Sequence, residues 1–138
     1  MDSRLDLLRQ VPLFATVAPK GLAEIGEVIE EIRVPAGAAL THEGRQEGYF
    51  FIIVEGSVRV ERGDRVVNTM GPRDFFGEIA LLDGGPRTAT AIAETDCRLL
   101  TLKNSRFHDL IDASPEIRTA ILEAVGGYLR RLDEEAAT

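Results

Sequence analysis

Between residues 32 and 102 the sequence alternates short β-rich runs with turns that carry glycine. Many short strands separated by turn signals at roughly 8–12-residue spacing are typical of an all-β sandwich or barrel. Strands do not alternate with helices here, so a doubly wound dinucleotide-binding fold is not expected. The predicted strands cover residues 32–34, 38–41, 49–54, 57–61, 65–70, 88–93 and 98–102.

Helical patterns mark both ends of the chain. Near the start, a short amphipathic stretch is interrupted at Pro12, and Pro19 is well placed to begin a second helix. After the last predicted strand, Asn104 or Ser105 can cap a short helix, and Ser114 with the following proline can open a final helix. The sequence therefore predicts one α+β, mainly β domain over residues 1–138. Its parts are N-terminal helices in 1–30, a β-barrel in 31–103 and C-terminal helices in 104–135.

Charge and cysteine content limit the classes of partner. The formal net charge is −7, whereas binding nucleic acid through its phosphates needs a basic face, so no direct nucleic-acid partner is expected. The one cysteine, Cys97, allows no intramolecular disulfide, and its place at the start of a strand predicts a small packing residue. No apolar run approaches transmembrane length and no signal-peptide core is visible. We therefore expect a cytoplasmic protein with no membrane partner.

The segment of residues 76–90 reads FGEIALLDGGPRTAT and concentrates the polar chemistry of the chain. Residues 78–82 can form one helical turn whose free N–H groups, those of Ile79 and Ala80 especially, would face an anion. Arg87 adds a planar, two-pronged donor suited to phosphate oxygens. Glu78 would repel a phosphate, so it must address a hydroxyl donor instead. These groups suit a nucleotide whose phosphate lies near its ribose hydroxyl, although a lone Gly-Glu…Arg pair could also form a salt bridge that closes a loop.

The strings FGEIALL and PRTAT together resemble the phosphate-binding cassette of cyclic nucleotide-binding domains. This family includes the catabolite activator protein, the regulatory subunit of protein kinase A and cyclic nucleotide-gated channels. The resemblance covers almost the whole chain, because the turns at 35–37 and 43–44, the stretch 54–58 and the final helices follow the family's order. It implies an eight-stranded double-stranded β-helix, or jelly-roll, barrel flanked by N-terminal helices and two C-terminal helices. It also implies cAMP as the ligand, with cGMP as the alternative, and no metal.

The resemblance implies a role for each residue of the site. Glu78 corresponds to the glutamate that takes the ribose 2′-hydroxyl, and Arg87 corresponds to the arginine that pairs with the cyclic phosphate. The other implied contacts are the backbone donors of Gly77, Ile79 and Ala80, the hydroxyl of Thr88, the base-lining Val60, Val67 and Met70, and Leu132 with Asp133 as the cap on the purine.

The expected function is that of a stand-alone cyclic nucleotide sensor, because the residues after Ser114 leave no room for a helix-turn-helix domain. Ligand binding would move the last two helices. A stripe on the final helix would then change its packing against a second copy or a partner protein. The stripe consists of Ile121, Val125, Tyr128 and Leu132.

Other functions remain open at this stage. The chain could be a ligand-free interaction domain of the same fold, or the sensor fragment of a larger transcription factor, kinase or channel. An enzyme is not expected. The two histidines, His42 and His108, form no His-x-His pair that could serve a metal-dependent barrel enzyme.

Overall fold

The computed structural model describes residues 4–46 and 48–137, which form two compact units. A helical unit contains the chain up to Val28 and again from His108 onward. A β unit contains the residues between them, from Ile29 to Phe107. The candidate cassette at 76–90 thus lies entirely within the β unit.

The described part of the β unit contains eight strands. They are β1 (Glu30–Val34), β2 (Ala39–Thr41), β3 (Tyr49–Glu55), β4 (Val58–Arg62), β5 (Arg65–Met70), β6 (Phe75–Phe76), β7 (Thr90–Ala93) and β8 (Cys97–Lys103). They pair as two four-stranded antiparallel sheets with the orders β1-β8-β3-β6 and β2-β7-β4-β5. The jelly-roll class implied by the resemblance is confirmed, but the two sheets remain separate and do not close into one hydrogen-bonded ring.

The core of the β unit lies between the two sheets. Alternate residues of facing strands supply it because successive side chains of a strand point to opposite faces. Cys97 is 4% exposed within this cluster, which confirms the packing role predicted for it. The buried members are Phe51, Ile53, Val58, Met70, Ala91, Ala93, Cys97 and Leu99.

One strand was missed by the sequence pattern. Strand β6 is two residues long and pairs with β3, where Phe76 stacks on Phe51 with ring centroids 4.9 Å apart. A two-residue strand has no alternation for a pattern to detect. Its position just before Gly77 leads the chain from the sheet into the cassette.

Five α-helices occur in the described residues. They are α1 (Arg4–Arg9), α2 (Pro19–Val28), α3 (Glu78–Asp83), α4 (Asn104–Ala113) and α5 (Pro115–Ala137), and a 3-10 helix covers Pro12–Phe14. Two predicted helix starts are confirmed. Helix α2 begins at Pro19, and Ser114 caps α5 by accepting a hydrogen bond from the Ile117 N–H at 3.2 Å.

The apolar stripe predicted on the last helix is divided by packing within the helical unit. Ile121 is only 4% exposed, because its side of α5 contacts the 3-10 helix and the loop after it, where the Thr16 hydroxyl donates to the Ala120 carbonyl at 3.1 Å. Ile121 is therefore covered within the helical unit, Val125 is half-buried, and Tyr128 and Leu132 are exposed. A different set remains exposed: Leu122, Tyr128, Leu129 and Leu132. No helix in residues 4–46 or 48–137 has the length and apolar character to cross a membrane.

Candidate functional site

Gly77 is the point at which the chain leaves β6 and enters α3. Its φ of 91° lies in the left-handed region that favours glycine. A side chain there would also place a Cβ 2.9 Å from the Tyr49 carbonyl oxygen and against the Arg87 guanidinium. Gly77 is therefore required both by its backbone conformation and by the close approach of its neighbours.

Arg87 is held from several directions. Its side chain is buried, with 7% exposure, and its guanidinium donates to the carbonyl of Tyr49 at the start of β3. Its backbone is fixed as well, because the Arg87 N–H donates to the Arg45 carbonyl and the Gly44 N–H donates to the Arg87 carbonyl, each at 2.8 Å. These bonds fix the direction of a cation that would be costly to bury without partners.

A cavity of about 330 Å³ opens beside these two residues, wholly inside the β unit. This volume falls within the lower range of small-molecule sites, which run from about 300 to 1,000 Å³. Both sheets and α3 contribute to its walls. The lining residues are Thr41, Val60, Arg62, Phe76, Gly77, Glu78, Ala80, Asp83, Gly85, Pro86, Arg87, Thr88, Ala89 and Ala91.

Glu78, the first residue of α3, is a partly buried carboxylate in the cavity wall. Burial raises the pKa of Glu78 above its ordinary value, because desolvation disfavours the charged form. A carboxylate in this setting gains from a hydroxyl or other neutral donor that replaces lost water.

The structure brings six of the predicted site residues to this one cavity: Val60, Gly77, Glu78, Ala80, Arg87 and Thr88. Met70 instead lies in the core between the sheets, with 9% exposure. Val67 is 47% exposed on β5, and Leu132 is 48% exposed on α5 in the helical unit. Ile79 lies in the first turn of α3, but its side chain is outside the described set. The binding role of each of these residues stays a prediction.

Sequence reasoning missed three polar residues of the cavity: Arg62, Thr41 and Asp83. The Arg62 Nε donates to the Thr88 carbonyl at 3.1 Å, and the Thr41 hydroxyl donates to the Ala89 carbonyl at 3.1 Å. Arg62 lies two residues after Val60 on β4 and therefore on the same face, so the period of the strand could have identified it. Thr41 carried no such signal, because its contact with Ala89 depends on the pairing of β2 with β7.

The cavity therefore combines the fixed guanidinium of Arg87, the desolvated carboxylate of Glu78 and an apolar wall that includes Val60 and Phe76. A guanidinium is suited to phosphate oxygens and a carboxylate to a hydroxyl donor, so the site can hold a ligand with one anionic and one hydroxyl-bearing part. Within residues 4–46 and 48–137, no group of three or more His, Cys, Asp or Glu side chains converges as a metal site would require.

Comparisons with known proteins show which proteins the chain is similar to. The family model of the cyclic nucleotide-binding domain matches residues 31–114. A cyclic nucleotide-gated potassium channel from Mesorhizobium japonicum is 42% identical over 80% of this chain and 31% of its own length. The chain spans about a third of the length of the curated channel relatives that it matches.

Solved structures with the same fold include regulatory domains. The N-terminal domain of a transcriptional regulator from Streptomyces coelicolor superimposes with a TM-score of 0.87 at 33% identity, covering 95% of each chain. The regulatory domain of Toxoplasma gondii protein kinase A, determined with cAMP, gives a TM-score of 0.72 at 32% identity, covering 77% of this chain and 42% of that one.

Proposed function

The chain belongs to the cyclic nucleotide-binding domain family, and we propose that it binds a cyclic nucleotide in the cavity beside Arg87 and acts as a regulatory sensor, not as an enzyme. One observation carries the proposal: a single cavity collects a buried arginine, a desolvated glutamate and the glycine between strand and helix. The cytoplasmic setting predicted from the sequence is part of this proposal.

In the proposed complex Arg87 and Glu78 bind different parts of the ligand. Arg87 pairs with the cyclic phosphate through its planar fork, with backbone N–H groups of α3 as further donors. Glu78 accepts the ribose 2′-hydroxyl, which restores a hydrogen bond to a carboxylate that burial has desolvated. Both contacts can form at the same time with a ligand whose phosphate and 2′-hydroxyl are held close together, as they are in a cyclic nucleotide.

The base would lie along the apolar wall that contains Val60, with Thr88 at its edge. Val67 and Met70 remain predicted base contacts, and Leu132 remains the predicted cap. We propose cAMP as the preferred ligand, supported by the cAMP complex of the related kinase domain, with cGMP as the alternative.

The proposed output is a change at the C-terminal helices. Helix α5 carries four exposed large apolar side chains, which favours association with a second copy or with a partner protein. We propose no direct contact of this chain with nucleic acid, since its formal net charge is −7.

The decisive test is calorimetric titration with cAMP and cGMP of the wild-type chain and of Arg87→Ala. We expect the wild-type chain to bind at least one nucleotide at sub-millimolar concentration. We expect Arg87→Ala to lose roughly a hundredfold or more in affinity, because a two-pronged, charge-assisted contact disappears. Arg87→Lys should lie between the two, since it keeps the charge but not the fork.

The matched control is Arg33→Ala, which removes an exposed arginine from β1. It should bind like the wild type, and thermal unfolding of each variant separates lost affinity from lost structure. Wild-type protein that binds neither nucleotide would favour the ligand-free interaction domain instead. Equal affinity in Arg87→Ala and the wild type would remove Arg87 from the site.

A further inference from the structure

Asn104 connects the end of a strand, the start of a helix and the cassette. It directly follows β8 and is the first residue of α4. Its backbone N–H donates to the Gly48 carbonyl at 2.8 Å, which extends the pairing of β8 with β3 by one residue. Its side-chain Nδ2 reaches across 24 residues of sequence and donates to the Ala80 carbonyl of α3 at 2.7 Å. One side chain thus joins the first turn of α4 to the helix of the candidate site.

The Ala80 carbonyl that receives this bond is important for the geometry of α3. It also accepts the Gly84 N–H at 2.8 Å, which closes the C-terminal end of the helix. A carbonyl oxygen has two lone pairs, and these two donors use both. Helix α3 is short, so a bond from outside the helix constrains the orientation of the segment that carries Glu78.

The neighbouring backbone links Asn104 to the arginine as well. The carbonyl of Gly48 holds the Asn104 N–H, and the carbonyl of the next residue, Tyr49, accepts the Arg87 guanidinium. Displacement of this dipeptide would therefore change both bonds. Asn104 does not line the cavity, but its two hydrogen bonds reach α3 and the backbone next to Tyr49.

The side chain of Asn104 is not used in the way expected for the first turn of a helix. An asparagine that caps a helix accepts an N–H of the first turn with its oxygen. Asn104 is instead the first residue of α4, and its buried Oδ1 has no hydrogen-bond partner among the described residues, so the capping bond predicted for it is not made. Turning the amide over would bring its oxygen against the Ala80 carbonyl oxygen, so only the NH2 group can face it.

We propose that Asn104 is a positioning residue, which holds α3 in its binding geometry and transmits occupation of the cavity to the first turn of α4. This inference rests on the proposed function. A ligand that draws α3 inward moves the Ala80 carbonyl, and Asn104 either follows it or loses the bond. In either case the ligand changes the start of α4.

The experiment compares Asn104→Asp and Asn104→Ala with the wild type by titration with cAMP and cGMP. Aspartate has the same shape, but it has no donor for the Ala80 carbonyl. We expect both variants to lose roughly three- to tenfold in affinity, the range for one hydrogen bond. Ser105→Ala changes the adjacent exposed residue and should bind like the wild type.

Hydrogen exchange provides a readout that a merely structural role would not alter. In the wild type, nucleotide should change the exchange of amides 105–107 together with those of α3. In Asn104→Asp the change at α3 should remain and the change at 105–107 should be lost. If the variants fold poorly, a wild-type chain that binds nucleotide without any change at 105–107 would still overturn the proposal.

The outcomes separate this inference from the function on which it rests. If the wild type binds neither nucleotide, both are overturned. If the wild type binds and Asn104→Asp keeps both its affinity and its response at 105–107, only the role of Asn104 is overturned.

Discussion

Gly77 and Arg87 share a small volume beside the carbonyl of Tyr49. The guanidinium donates to that carbonyl, and a Cβ on residue 77 would lie 2.9 Å from the same oxygen. The glycine of the FGE string is thus explained by the arginine ten positions later in the chain. At this scale the cassette is a packed arrangement in which each residue restricts the others.

Glu78→Gln should change stability and binding in opposite directions. Because the pKa of Glu78 is raised in the folded protein, the folded state holds this proton more tightly than the unfolded state does. The associated stability is complete below the ordinary glutamate pKa of about 4.3 and is lost as the pH rises through the raised value. The variant should therefore be more stable than the wild type at pH 7 and about equal to it at pH 3.5.

The same variant should bind the nucleotide roughly five- to fiftyfold more weakly, because a hydroxyl bonds an amide less strongly than a carboxylate. Urea unfolding at the two pH values and calorimetric titration measure the two effects. Glu30→Gln, which changes an exposed glutamate on β1, is the control. A pH-independent difference in stability would show that desolvation of Glu78 is not the cause.

At the scale of elements, two glycines in helices should respond oppositely to alanine. In α2, a Cβ on Gly21 would lie 2.9 Å from Val17 Cγ1 and 3.0 Å from Ile117 Cγ1 of α5. Overpacking this contact should destabilise the protein by about 1–3 kcal/mol. In α5, a Cβ on Gly126 would meet no atom within 4 Å. Gly126→Ala should stabilise the protein by about 0.5–1 kcal/mol, because glycine disfavours the helix.

Urea unfolding of the two alanine variants measures this difference directly. Each substitution adds the same methyl group, so a change in helix propensity alone would make both variants more stable. Stabilisation by Gly21→Ala would mean that Val17 and Ile117 can move away, and that α2 and α5 are less tightly packed than their distances indicate.

Elements with a strong local signal were predictable. The seven predicted strands and the start of α2 follow from alternation, turn glycines and Pro19, all of which act over a few residues. Strand β6 was missed because it has only two residues and is defined by its pairing with β3. The division of the α5 stripe was also missed, because helical spacing shows which residues share a face but not which neighbour covers that face.

At the scale of the whole molecule, the exposed apolar side chains of α5 predict association. We expect the wild-type chain to sediment above its monomer mass of 15.1 kDa at tens of micromolar. Leu129, which is 58% exposed, should be central to the contact, so Leu129→Glu should sediment as a monomer. Burial of a charge in an apolar interface is the physical reason.

Val66→Glu is the matched control, because Val66 is 56% exposed on β5 and is not part of α5. It should leave the sedimentation of the wild type unchanged. A wild-type chain that is monomeric at these concentrations would contradict self-association and direct the search to a partner of different sequence.

The sequence alone determined the order of the strands along the chain, the two helical ends and the string that carries Gly77, Glu78 and Arg87. These features depend on residues close together in the chain, where periodicity, caps and turns act. Only the tertiary structure decided that Arg62 and Thr41 line the same cavity, that Met70 lies in the core, and that Asn104 donates to Ala80. Those relations join residues far apart in sequence, and they depend on strand register and on packing between sheets, which no local pattern specifies.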